Sequence, residues 1–63
     1  MKTKIKYYRE LNNMTQEELA RKSNVSRTIL SGLENGTLDV TTNTTMEKIS
    51  QALGVGVVEL FYN

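Results

Sequence analysis

Apolar residues recur along this chain at intervals of three and four nearly from end to end, the spacing that gathers them on one side of a helix. Five short helices account for the pattern. The first runs from about Thr3 to Asn12, with Ile5, Tyr8 and Leu11 expected on one buried stripe; Asn13 suits a left-handed residue past its end, and Met14 turns back to the core. The second starts from a capping box. Thr15 is its N-cap, and Glu18, three residues on, reaches back to the cap's own amide. Gln16, Glu17 and Glu18 suit the positive end of the helix dipole, Leu19 faces the core, small Ala20 lets a neighbour approach, and the helix ends near Ser23. Asn24 tolerates the positive φ of a tight turn, Val25 plugs the core, and Ser26 caps a third helix that carries Leu30 and Leu33 inward before Gly36 stops it. A fourth helix starts near Thr42 and ends at Gly54, with Met46, Ile49, Ala52 and Leu53 as its stripe and Val55 folded back on its last turn. A fifth runs from Val57 to about Tyr62, with Val57, Leu60 and Phe61 inward. The pattern predicts an all-α chain, a compact five-helix bundle forming a single domain over residues 1–63.

At 63 residues the chain buries only about 60% of the surface that its unfolded form exposes, so a partner subunit would add stability. It has no Cys and no His, which removes disulfides, thiolate and imidazole chemistry and the usual zinc ligands; no metal or cofactor is expected. No apolar run approaches the roughly 18 residues of a membrane span. The basic start, Met1 to Lys6, leads into no apolar signal core, so the expectation is a soluble, cytoplasmic protein without a membrane partner.

The net charge of +1 hides a division. Residues 1–31 carry seven basic and three acidic groups, whereas residues 32–63 carry one basic and four acidic groups. The positive half contains most of Thr15 to Gly36, two short helices joined at Asn24, the second with polar groups on one face: a helix-turn-helix pattern. Lys2, Lys4 and Lys6 either add to a phosphate-facing surface or form an ordinary solvated face.

Together these segments resemble the lambda-type phage repressor and Cro family of helix-turn-helix domains, also called the Xre family. The likeness runs from about Ile5 to Phe61. It is carried by Met14-Thr15-Gln16-Glu17-Glu18-Leu19-Ala20, by Asn24-Val25-Ser26-Arg27, by Leu33-Glu34-Asn35-Gly36, and by Ala52-Leu53-Gly54-Val55 followed by Glu59-Leu60-Phe61. The resemblance implies a lambda repressor-like DNA-binding domain that acts as a transcriptional regulator, by preference a repressor. It would bind a palindromic operator in double-stranded DNA as a homodimer, with the third helix in the major groove. No catalysis and no small-molecule effector are expected. Matched position by position, the resemblance implies base contacts from Arg27, Thr28 and Gly32 with Ser31 beside them, and phosphate contacts from Thr15, Gln16, Ser26, Asn35 and Thr42. It also implies an ion pair between Arg9 and Glu34. Arg27 suits guanine, whose O6 and N7 accept two parallel hydrogen bonds.

The chain also departs from the family's pattern. Gly32 stands where many relatives carry a long polar side chain; close approach to DNA and close packing within the protein are both open readings. Ile29, expected near the exposed edge of the third helix, either meets a thymine methyl or is covered by the second helix. Thr37 replaces a basic residue after Gly36, and the following loop is one residue longer than usual, leaving Thr41, Thr42 and Thr44 as phosphate donors or as plain loop and cap residues. Leu38, Val40, Val58 and Tyr62 are apolar at positions a lone bundle would expose, and are expected to form the dimer patch. The rival reading is a protein-interaction module, such as an antitoxin or antirepressor, on the same scaffold. An enzyme is excluded by the missing site chemistry: the adjacent Glu17 and Glu18 point in different directions on a helix.

Overall fold

A computed structural model describes residues 2–39 and 41–62. Five helices follow one another: α1 (Ile5–Leu11), α2 (Gln16–Ser23), α3 (Arg27–Asn35), α4 (Asn43–Leu53) and α5 (Val57–Phe61). Their starts are set by local chemistry. Thr15 Oγ1 accepts from the amide of Glu18 at 3.1 Å while the Glu18 carboxylate accepts from the amide of Thr15 at 2.8 Å, so both halves of the capping box are made. Ser26 Oγ accepts from the amide of Ile29 and Thr42 Oγ1 from that of Thr45. The stops follow the same logic: Asn24, Gly36 and Gly54 each end a helix in the left-handed region. Asn13, at φ 55, turns the chain just after α1.

The six largest fully buried side chains are Ile5, Leu19, Leu30, Leu33, Ile49 and Leu60. Every helix contributes to that one core, with α2 packed between α3 and α4, α5 on α4, and α1 against α3 and α4. Val25, Met46, Ala52, Leu53 and Phe61 complete it, and Met14, Val55 and Val57 pack on its edge. The start of the chain is tied down too, since Lys4 N–H donates to the Leu60 carbonyl at 2.9 Å.

The expected stripe of α1 holds only in part. Ile5 is buried and Tyr8 half-buried, but Leu11 is 61% exposed. Successive helical residues turn by about 100°, so an i, i+3, i+6 series drifts by about 60° at each step and Leu11 finishes about 120° from Ile5. The residue on Ile5's side one turn later is Arg9. That charge, not Leu11, faces the bundle.

The tight turn between α2 and α3 rests on a buried hydroxyl. Ser23 Oγ donates to the Leu19 carbonyl at 2.7 Å and accepts from the amide of Val25 at 3.3 Å. It braces Asn24 from inside and shares the Val25 amide with the Ala20 carbonyl, also at 3.3 Å. Ser23 was expected only to end α2. Among the described residues, no helix is long and apolar enough to cross a membrane.

Candidate nucleic-acid interface

Two surfaces meet where the turn brings α2 and α3 together. One is the start of α2, whose first amides have no partner within the helix and whose dipole favours an anion. The other is the outward arc of α3. With Leu30 and Leu33 fixed inward, a turn of about 100° per residue sends Arg27, Thr28, Ser31 and Asn35 outward. Arg27 and Thr28 are exposed and Ser31 is half-buried beside them. They line an open groove of about 650 Å³ together with Gln16, Gly32 and Leu38.

The two surfaces are held in register by a buried charge. Arg9 Nε and Nη2 lie 2.9 and 3.0 Å from the two carboxylate oxygens of Glu34, a bidentate pair between α1 and α3. Their side chains are only 11% and 5% exposed. Arg9 Nη1 also donates to the Met14 carbonyl at 2.7 Å, which fixes the chain entering α2. The side-chain hydrogen bonds to Glu34 hold the guanidinium's pKa above its ordinary value. Gln16 extends the chain of contacts. Its Nε2 donates to Glu34 at 3.2 Å, while its Oε1 stands 3.5 Å from Arg27 Nε. Arg27 also lies 4.0 Å from Glu17, but both side chains are more than 60% exposed, and such a contact holds little. Arg27 is therefore oriented over the start of α2 and remains free to swing outward.

The remaining predicted residues divide by what occupies their polar groups. Thr15 and Ser26 use their oxygens as helix caps; this leaves the Ser26 hydroxyl hydrogen as a donor, whereas the Thr15 hydroxyl also faces the Glu18 carboxylate. Asn35 Oδ1 accepts from both the amide and the hydroxyl of Thr37, at 3.0 and 2.8 Å. That orientation turns its amide donors away from the turn, the sense an anion needs. Thr42 is different: its hydroxyl accepts from Thr45 N and donates to Thr45 Oγ1 at 3.0 Å, so it is fully engaged as a cap. Ile29 is half-buried against the core, the covered alternative.

Gly32 is buried, although the helical turn puts it on the outward arc. Leu38 covers it. A Cβ on Gly32 would stand 2.7 Å from Leu38 Cγ, so close packing within the protein accounts for the glycine. Leu38 itself, one of the residues expected in the dimer patch, is half-buried and lines the α3 groove. Val40 lies outside the described residues. Val58 and Tyr62 are 65% and 63% exposed.

The helix-turn-helix family profile matches residues 5–60. The chain belongs to the helix-turn-helix family, of the Xre/Cro type. It is a DNA-binding domain and not an enzyme. A protein of Methanocaldococcus jannaschii named as an uncharacterized HTH-type transcriptional regulator is 43% identical over 61 residues, covering 97% of this chain and 91% of the relative. Within this helix-turn-helix domain, sequence reasoning missed three residues: Ser23 inside the turn, Met14 as a carbonyl partner of Arg9, and Leu38 on Gly32. For Ser23 a signal existed, a small hydroxyl just before a left-handed Asn. For Leu38 there was none, because only the path of the chain after α3 brings it back.

Proposed function

We propose that the protein is a transcriptional regulator that represses by binding a palindromic operator as a homodimer, α3 of each protomer lying in the major groove. The observation that carries this reading is the exposed pair Arg27 and Thr28 at the start of α3, beside the anion-favouring start of α2 and braced by the Arg9–Glu34–Gln16 contacts. In this reading Arg27 takes guanine O6 and N7, Thr28 and Ser31 offer hydroxyls to neighbouring base edges, and Thr15, Gln16, Ser26 and Asn35 donate to phosphates. Val58 and Tyr62 supply the apolar contact between protomers. Repression follows from occlusion of the promoter, and the site of action is the cytoplasm, with the DNA.

The test is retention on mixed DNA fragments across a salt series. Binding must weaken steeply with salt, because each neutralised phosphate releases about 0.9 counterion. The second reading, a protein-interaction module, draws on one observation: Gly32 carries no reading side chain and lies under Leu38. It requires salt-insensitive or absent DNA retention.

A further inference from the structure

Gly32 and Leu38 fit each other closely. A side chain at position 32 would begin in the α3 groove, and the space it would take holds Leu38, with Cγ and Cδ1 at 2.7 and 2.8 Å from an ideal Cβ. No real Cβ tolerates both distances, so the glycine makes room for this leucine. The leucine is not loosely draped there. Its amide donates to the Gly32 carbonyl at 3.1 Å, which anchors the backbone to α3 and delivers the side chain to a fixed place. Leu38 also touches the core cluster, yet it stays half-exposed, and its open part lines the same groove as Arg27, Thr28 and Ser31. Ile29 also lines this groove, but it projects from the flank of α3 and packs on the core, whereas Leu38 lies over the outward arc at Gly32; the result is an apolar group set among donors and acceptors.

In the major groove only one base edge offers an apolar group of matching size, the 5-methyl of thymine. We propose that Leu38, seated on Gly32, is a specificity-determining residue that receives a thymine methyl in the major groove. This rests on the DNA-binding reading of α3. Leu38 can neither donate nor accept a hydrogen bond, so it discriminates by methyl burial against cytosine, and it leaves the polar edge of a purine unpaired. Because Leu38 is already packed on Gly32, little side-chain freedom is lost on binding, and the methyl is discriminated at full value.

The experiment begins with selection of bound sites from random DNA, followed by replacement of each selected thymine, one at a time, by deoxyuridine, which lacks only the methyl. Wild-type protein is expected to show one thymine in each half-site whose replacement weakens binding about fourfold, the value of one buried methyl. Leu38→Ala and Leu38→Gln should bind thymine and uracil sites alike at that position. Gly32→Ala, which keeps the leucine but pushes it off α3, should do the same. Circular dichroism establishes that each variant is folded, and the wild-type uracil scan stands even if none is. Selected sites with no methyl-sensitive thymine overturn the proposal, as does a methyl effect that persists in folded Leu38 variants. Failure to select any DNA overturns the reading of α3 instead.

Discussion

Arg27 and Gln16 touch in the free protein yet belong to different kinds of contact. Arg27 is exposed on α3 and tethered only at 3.5 Å, so it can place its planar fork against a base. Gln16 is half-buried and bonded to Glu34, so it sits where the backbone of a duplex would pass the start of α2. Arg27→Ala is expected to relax preference at one base pair by about 1–3 kcal/mol, whereas Gln16→Ala weakens all sequences alike. Binding measured against a panel of single-base operator variants separates them; equal losses across the panel from Arg27→Ala would remove it as a base reader. Glu18 carries a prediction about acid. Its bonds with the amide and hydroxyl of Thr15 lower its pKa from the ordinary carboxylate value. A depressed folded-state pKa gives stability that is present above the unfolded value and is lost as pH falls through the folded one. Thermal melting at descending pH should show this loss below the ordinary glutamate range, and Glu18→Gln, which cannot titrate, should show less of it.

At the scale of the element, the helix ends were legible in the sequence because a cap acts within three or four residues. Thr15 with Glu18, Ser26, Thr42, Asn24, Gly36 and Gly54 all stand as their local chemistry predicts. The buried apolar positions of α2 to α5 were legible for a related reason: the helical period keeps them on one face, whereas the burial of Ser23 and Gly32 does not follow from it. In α1 that logic failed at Leu11, since an every-third-residue series leaves the buried face within two steps. The cover on Gly32 was not legible at all, because it depends on where the loop after α3 returns. The Arg9–Glu34 pair ties α1 to α3 and makes its own prediction. Arg9→Leu or Glu34→Leu alone leaves a nearly buried charge without its partner and should cost about 3–5 kcal/mol, enough to unfold much of a domain this small. Replacing both with apolar residues should cost clearly less than either single change. Denaturant unfolding of the three variants decides this; single variants with an unchanged midpoint would show that the pair holds nothing.

The molecule as a whole is small, about 24 × 21 × 19 Å, and one protomer presents one α3. The proposed dimer would read two half-sites with two copies of α3, and the exposed side chains Val58 and Tyr62, on and just after α5, are the candidates to join them. Val58→Asp should shift the protein toward monomer in sedimentation while leaving its helical signal intact, and should weaken operator binding more than non-specific binding. An unchanged association state in that variant would move the subunit contact elsewhere. The charge division belongs to this scale as well: the basic half of the chain contains α2 and the start of α3, although the molecule is nearly neutral. The central claim is that this surface reads DNA as a symmetric pair, and selection of bound sites from random duplex DNA by the full chain tests it most directly. The account predicts enrichment of twofold-symmetric sites whose half-sites lie about one helical turn, roughly 34 Å, apart. Recovery of unenriched random sequence, or of single asymmetric sites, would contradict it.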